Sequence, residues 1–156
     1  IGQPESWGAS CVHTGDIAEI RGDELFINGR SKNVLINSFG RNLSPEWVEA
    51  ELMAAGLFQQ AVIVGDSRPY CLGLLVPFSA DTTNEQINQA LAAANKNLPD
   101  YAQVQQYIRL DEPLSFDKGL VTANGRPQRD NILAHFQHDI EQVYAGNADH
   151  QKEQRI

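Results

Sequence analysis

Three short stretches of this sequence combine glycine with charged side chains at fixed places along the chain. A carboxylate can accept hydrogen bonds from two neighbouring hydroxyl groups, and a guanidinium fork suits phosphate and sugar oxygens. Each stretch alone is also typical of an ordinary turn or of solvated surface charge. The stretches are Thr14-Gly15-Asp16, then Gly29-Arg30-Ser31-Lys32-Asn33 leading to Gly40-Arg41-Asn42-Leu43-Ser44-Pro45-Glu46, and finally Thr122-Ala123-Asn124-Gly125-Arg126-Pro127-Gln128-Arg129.

Taken together, the order and spacing of these stretches resemble the C-terminal part of adenylate-forming enzymes. This superfamily contains acyl-CoA synthetases, peptide-synthetase adenylation domains and luciferases, and the resemblance covers residues 14–140. It implies a large N-terminal domain that binds ATP and a carboxylate, and a small C-terminal α+β domain that closes over it. The interval from Arg30 to Gly40 is one residue longer than in acetate-type relatives. That length is similar to long-chain acyl-CoA synthetases and favours a fatty acyl substrate.

The resemblance implies a role for four positions. Asp16 matches the carboxylate that binds the ribose hydroxyls, and Arg30 matches an arginine that also reaches the nucleotide. Lys32 falls at the hinge about which the small domain rotates between two orientations. Gly40 lies in the loop that lines the pantetheine channel in the second orientation. Seen without the resemblance, these residues are also explained as a turn, as surface charges and as a glycine with positive φ.

The last stretch departs from the family pattern at Arg126. Family members usually have a lysine there, which bridges the carboxylate and the α-phosphate during adenylation. Arginine keeps the charge, but its guanidinium is planar and bidentate, so it does not reproduce a compact ammonium. Lys118 lies nearby in the sequence and is either a substitute for that lysine or a solvated loop residue.

The functional prediction is a C-terminal lid domain of an ATP-dependent acyl-CoA (fatty acid–CoA) ligase that is inactive alone. No Gly-rich phosphate loop and no acyl pocket is visible, and the family places both in the N-terminal domain. The resemblance implies ATP with Mg, and CoA, as cofactors that this segment alone binds weakly. Its expected partners are its own N-terminal adenylation domain, the carboxylate substrate, and the thiol of CoA or of a carrier protein. A non-catalytic or regulatory homologue and an unrelated α+β interaction module are the alternatives.

Composition excludes several other classes of function. Asp and Glu outnumber Lys and Arg by 20 to 12, and the net charge of −8 disfavours nucleic acids and anionic membranes as partners. No apolar run approaches the ~20 residues of a membrane span, and the polar N-terminus is unlike a secretory signal. Cys11 and His13 lack further ligands for a metal site, and Cys71 is predicted to be a core residue. A cytoplasmic location is expected, and the absence of an initial Met is consistent with a piece of a larger ligase.

Local patterns predict an α+β fold: a small central β-sheet with helices on both faces, plus a short N-terminal β-hairpin. The predicted strands are 17–20, 25–27, 34–36, 61–64, 72–76 and 104–110. One helix is expected to start with Ser44 as its cap and Pro45 in its first turn, and a second to start with a Thr83/Gln86 capping box. A last helix is expected to open at Pro127.

Three parts of the chain follow from this interpretation. Residues 1–31 are expected to be the end of the large N-terminal domain and the approach to the hinge. Residues 32–145 are expected to form the mobile lid domain, and residues 146–156 a polar tail.

Overall fold

The structure is a computed structural model that describes residues 16–30 and 33–153. Its helices and strands give an α+β fold, as predicted. In chain order they are β1 Asp16–Arg21, β2 Glu24–Arg30, β3 Leu35–Ile36, β4 Asn42–Leu43, α1 Pro45–Met53, β5 Phe58–Val64, β6 Cys71–Pro77, α2 Asn84–Asn95, β7 Val104–Arg109, α3 Arg129–His135 and α4 Gln137–Glu153.

A three-stranded sheet in the order β5–β6–β7 lies at the centre of the fold. The predicted hairpin of β5 and β6 is confirmed, with Ile63 opposite Gly73. Strand β7 pairs with β6 in parallel, with Ile108 opposite Leu74. A parallel pair needs a crossover connection, and α2 supplies it. Because β6 lies in the middle of the order, β5 is an edge strand of this sheet.

Both faces of the central sheet are buried, which explains the continuous apolar runs of β5 and β6. Along β5, alternate residues belong to different clusters, because successive side chains of a strand point to opposite faces. The predicted cover of helices on both faces is confirmed. The first cluster includes Ala61, Ile63, Val48, Leu52, Ile87 and Leu91, from β5, α1 and α2. The second includes Val62, Val64, Ile132, Ile140 and Tyr144, from β5, α3 and α4.

Cys71 lies in the first cluster and is 2% exposed. Burial raises the pKa of its thiol to about 11, so the sulfur stays protonated at neutral pH and behaves as a small apolar group. The prediction that Cys71 is a core residue is confirmed.

Two hairpins precede the first helix. Strands β1 and β2 form the predicted N-terminal hairpin, and Gly22 has a φ of 65° in its turn. Strand β3 pairs with β4, with Leu35 opposite Leu43. Strand β4 is only two residues long, which is too short to show a sequence period, and it was not predicted.

The two predicted helix starts have different outcomes. The Thr83 capping box is confirmed: the Thr83 hydroxyl accepts from the Gln86 N–H, and the Gln86 side chain accepts from the Thr83 N–H. Ser44 occupies the N-cap position of α1 but makes no side-chain cap bond. Its hydroxyl donates instead to Glu46 Oε2 at 3.1 Å. The predicted position of Ser44 at the start of the helix is therefore confirmed, whereas the side-chain cap bond is absent.

The last predicted helix is divided into two, and it does not open at Pro127. Pro127 forms an isolated β-bridge with Val121, so the helix begins two residues later. The backbone of Phe136 departs from helical geometry with φ −101°, which separates α3 from α4. Helix α4 extends to Glu153 and thus includes most of the expected polar tail. Across the described residues, every helix is too short or too polar to cross a bilayer.

The two-sided core makes Leu74 a sensitive position, because its side chain is fully buried in β6. Leu74→Ala is expected to lower the free energy of unfolding by about 2–5 kcal/mol, since it leaves a cavity. The matched control is Leu25→Ala, where the leucine is 64% exposed and the expected change is within about 0.5 kcal/mol. Chemical denaturation measures both, and equal losses would contradict the assignment of the core.

Candidate functional site

The N-terminal hairpin brings together two of the predicted site residues. Asp16 and Arg30 are register partners at the open end of the β1–β2 ladder. Their side chains, and the whole of Lys32, Cys11 and His13, lie outside what the structure describes. The pairing places the predicted ribose-binding carboxylate and the predicted nucleotide-binding arginine on neighbouring strands.

Gly40 lies in the connection between β3 and β4, and we call this connection, together with the last residue of β3, the glycine loop (residues 36–41). The side chain of Asn37 holds this loop closed, because its Oδ1 accepts from the N–H groups of Phe39 at 3.0 Å and Arg41 at 2.9 Å. The Gly40 N–H donates to the Asn37 carbonyl at 2.9 Å. Gly40 has a φ of 76° and open space where a Cβ would stand. Backbone conformation therefore explains the glycine, and the loop tip remains accessible.

Arg126 lies in a second closed loop, which we call the arginine turn (residues 121–127). The Thr122 N–H donates to the Arg126 carbonyl at 2.8 Å, and the Arg126 N–H donates to the Thr122 hydroxyl at 3.1 Å. The Gly125 N–H donates to the Thr122 carbonyl at 2.8 Å, and Gly125 has a φ of 76°. Arg126 itself is exposed. The turn thus fixes the backbone of an arginine whose side chain is accessible to a ligand.

Lys118 is engaged by a carboxylate in this structure. Its ammonium forms an exposed ion pair with Glu112, and the hydrogen bond from Lys118 lowers the pKa of the Glu112 carboxyl. Lys118 therefore already has a carboxylate partner, and its role as a substitute for the family lysine stays a prediction.

Three residues after Arg126, Arg129 forms the main buried ion pair of the site. One of its terminal nitrogens lies 2.8 Å and 2.9 Å from the two carboxylate oxygens of Glu49. The side chains of Arg129 and Glu49 are 17% and 13% exposed. Both partners also bind the free edge of β5: Glu49 Oε1 accepts from the Ile63 N–H at 2.8 Å, and Arg129 donates to the Ile63 carbonyl at 3.2 Å. The pair satisfies backbone groups that an edge strand leaves open.

Burial raises the pKa of the Glu49 carboxyl, against the opposing effects of Arg129 and of the Ile63 N–H. Burial of the carboxyl is thus the largest influence on this pKa. Ion pairs of this kind add little net stability, whereas the loss of one partner leaves a costly unpaired charge. The pair consequently fixes geometry: it ties the segment after the arginine turn to α1 and to β5.

A second carboxylate extends this network towards the predicted hinge. Glu46 lies one helical turn before Glu49 on α1, and its Oε1 is 3.7 Å from Arg129. The same oxygen accepts a hydrogen bond from the side chain of Asn33, the residue that follows Lys32. Polar contacts thus connect Asn33, the described residue next to the predicted hinge, with Arg129, which follows the arginine turn.

Sequence reasoning missed Glu49 and Arg129 as site residues. Arg129 was quoted within the third stretch without a role of its own, and Glu49 was not singled out. The i, i+3 spacing of Glu46 and Glu49 on one helix face was the available signal. Nothing in the spacing identified Arg129 as the partner, because it lies 80 residues further along the chain.

Arg129 also lines a groove of 770 Å³ that lies between β3, the end of β5 and helices α3 and α4. Leu35, Leu133 and Arg68 are among the residues that line it. The two arginines that face the groove are both paired with carboxylates, at Glu49 and Glu141. The groove therefore offers no unpaired guanidinium from these two residues.

Known proteins that resemble this chain are AMP-binding enzymes and acyl ligases. The family model of the AMP-binding enzyme C-terminal domain matches residues 32–148, well over half of the chain. The chain is similar to the chloroplastic long-chain-fatty-acid–[acyl-carrier-protein] ligase AEE15 of Arabidopsis thaliana, with 23% identity over 133 residues, which cover 80% of this chain and 18% of the relative. It is also similar to the long-chain-fatty-acid–CoA ligase FadD15 of Mycobacterium tuberculosis, with 25% identity over 156 residues, 84% of this chain and 26% of the relative.

Among solved structures, the A-PCP didomain of carboxylic acid reductase from Segniliparus rugosus in complex with AMP matches with a TM-score of 0.75. The identity is 25%, and the match covers 90% of this chain and 21% of that chain. The chain thus spans about a quarter or less of the length of these three proteins.

The buried pair predicts a non-additive response to substitution. Arg129→Ala is expected to lower the free energy of unfolding by about 3 kcal/mol, because it leaves the Glu49 carboxylate buried without its cation. Adding Glu49→Gln removes that charge, so the double variant is expected to be more stable than Arg129→Ala alone. Thermal and denaturant unfolding measure the cycle.

The exposed pair of Lys118 and Glu112 is the matched control for this cycle. Lys118→Ala is expected to leave the free energy of unfolding almost unchanged, as for other surface ion pairs. If the losses in free energy of unfolding from Arg129→Ala and Glu49→Gln simply add in the double variant, the two charges do not depend on each other.

Proposed function

The chain belongs to the family of AMP-binding enzyme C-terminal domains, and from this premise we propose that it is the lid domain of an ATP-dependent acyl ligase. The observation that carries the proposal is the exposed Arg126, held at a fixed backbone position by a closed turn. Because the chain spans only part of its relatives, the proposed reaction belongs to an enzyme that also contains an N-terminal adenylation domain.

In the first half-reaction, the lid presents the arginine turn to the nucleotide. A carboxylate oxygen attacks the α-phosphorus of ATP, the bond to the β-phosphate oxygen breaks, and pyrophosphate leaves. Arg126 lies against the α-phosphate and the carboxylate, where its charge stabilises the negative charge that develops in the transition state. Asp16 and Arg30, partners in the β1–β2 hairpin, bind the ribose and the nucleotide.

In the second half-reaction, rotation at Lys32 replaces the arginine turn by the glycine loop. A thiolate attacks the acyl carbonyl, and the bond to the phosphate oxygen of AMP breaks to give a thioester. The accessible tip of the glycine loop supports this role, because Gly40 leaves open space beside the backbone. A small lid that rotates in this way serves two steps with two of its loops.

We propose a fatty acid as the carboxylate substrate and CoA as the acceptor. A carrier protein is the alternative acceptor, because it presents the same pantetheine thiol as CoA. Support for the acid comes from the length of the segment between Arg30 and Gly40 and from the names of both curated relatives. Those names differ in the acceptor, since one specifies CoA and the other an acyl carrier protein.

Magnesium is implied by the use of ATP. In residues 16–30 and 33–153, no three His, Cys, Asp or Glu side chains stand close enough together to hold a metal ion. The described residues therefore do not fit a resident metal site, and we assign no step of the lid to Mg²⁺.

The proposal predicts that Arg126 is required for adenylation. In the enzyme that carries this chain, Arg126→Ala is expected to lower ATP–pyrophosphate exchange by about 100-fold, the effect of losing one transition-state partner. Lys96→Ala, at an exposed lysine after α2, is the control and is expected to leave exchange unchanged. Lys118→Ala tests the other cation, and a larger loss there than at Arg126 would overturn the assignment.

The arginine itself favours one alternative, a non-catalytic or regulatory homologue that acts through protein interactions. Arg126→Lys separates the two. In an enzyme adapted to arginine, Arg126→Lys is expected to leave exchange unchanged or to lower it, because the site then suits a longer, planar group than the lysine ammonium. A large gain of exchange in Arg126→Lys would instead identify a degraded site and support the alternative.

A further inference from the structure

The glycine loop is fastened to the turn between β5 and β6. The Ile36 N–H donates to Asp66 Oδ1 at 3.0 Å, and the Ser67 N–H donates to the Ile36 carbonyl at 2.7 Å. The Ser38 N–H donates to the carbonyl of Arg68 at 2.9 Å. The position of the loop therefore depends on the conformation of this turn, which we call the anchor turn (residues 65–70).

The anchor turn has a backbone conformation that local preferences disfavour. Ser67 has a φ of 57°, in the left-handed region that residues with a side chain rarely adopt. The Arg68 N–H donates to the Gly65 carbonyl at 3.1 Å and closes the turn. Such a conformation persists where surrounding contacts hold it.

The side chain of Arg68 adds to those contacts by joining the anchor turn to α4. Its guanidinium carbon lies 4.7 Å from the centroid of the Tyr144 ring, and the group also forms an ion pair with Glu141. A guanidinium can stack on a ring and pair with a carboxylate at once, which an ammonium does less well.

Helix α4 offers Arg68 a rigid platform at this point. Tyr144 is buried, its hydroxyl donates to the Tyr70 carbonyl at 3.0 Å, and its ring lies 4.9 Å from the ring of Tyr70. Burial raises the pKa of the Tyr144 phenol. The ring thus remains neutral and is held in position by its contacts with Tyr70. The guanidinium of Arg68 stacks on this fixed ring.

We propose that Arg68 is a positioning residue for the thioester-forming half-reaction, because it holds the anchor turn that orients the glycine loop. The inference rests on the proposed function and deepens it. Arg68 acts through the loop and not on the substrate. Its loss is expected to impair the step that uses the glycine loop and to spare the step that uses the arginine turn.

Arg109 provides a matched control within the same fold. It is also an arginine that fastens a loop, since its guanidinium donates to the carbonyls of Ala80 and Thr82. That loop follows β6 and makes no hydrogen bond to the glycine loop among those recorded for the described residues. Arg109→Ala therefore removes a similar contact at a different place.

The first measurement is amide hydrogen exchange in the 156-residue chain. Arg68→Ala is expected to speed exchange at Ile36 and Ser38 by about ten-fold, with little change at the amides of β6. Arg109→Ala is expected to speed exchange at Thr82 and to leave Ile36 and Ser38 unchanged. Arg68→Lys keeps the charge but not the stacking, and it is expected to give an intermediate rate, so it replaces Arg68→Ala if that variant does not fold.

The second measurement separates the half-reactions in the enzyme that carries this chain. Arg68→Ala is expected to slow thioester formation from the acyl-adenylate by about ten-fold, because a displaced loop misaligns the thiol. ATP–pyrophosphate exchange is expected to change by less than about two-fold. A merely destabilised lid would lower both activities together, and partial recovery in Arg68→Lys would distinguish positioning from unfolding.

The outcomes distinguish the two proposals. An unmodified enzyme that forms no acyl-adenylate overturns the proposed function, and the role of Arg68 in catalysis is overturned with it. If the enzyme performs both half-reactions, equal losses in Arg68→Ala overturn the positioning role. Unchanged exchange at Ile36 and Ser38 overturns the structural step on which that role depends.

Discussion

The free edge of β5 is the constraint on which the site depends. An edge strand leaves backbone donors and acceptors open, and here the Ile63 peptide groups are bound by the side chains of Glu49 and Arg129. These two residues come from α1 and from the start of α3, so one ion pair fixes both helices on the sheet. The segment before α3 carries Arg126, so this buried pair anchors the chain three residues after Arg126.

The same sheet supports, by different means, the two loops that carry Arg126 and Gly40. The arginine turn is closed by its own hydrogen bonds and is followed by the Arg129 anchor. The glycine loop is closed by Asn37 and is bound to the anchor turn at the end of β5. Each loop therefore has separate supporting contacts. A lid that presents one loop at a time benefits from this separation, because a change in one support leaves the other in place.

The sequence predicted the parts of the fold that local patterns determine. The apolar runs of β5 and β6 and the Thr83 capping box have local signals, and both were found in the structure. Contacts between distant segments carry no such signal. The pairing of Glu49 with Arg129 and the stacking of Arg68 on Tyr144 depend on how the helices pack. The roles of Asp16, Arg30, Lys32, Gly40 and Arg126 came from resemblance to a family, and they stay predictions.

We propose that this chain acts as the lid of an adenylate-forming enzyme. This role is tested by measuring acyl-adenylate formation in the enzyme that carries the chain and in the same enzyme lacking residues 33–156. The measurement on the shortened enzyme is then repeated after the 156-residue chain has been added. Deletion is expected to lower acyl-adenylate formation by about 100-fold, and formation is expected to recover in part as the added chain approaches saturation. Full acyl-adenylate formation without the chain would contradict this role.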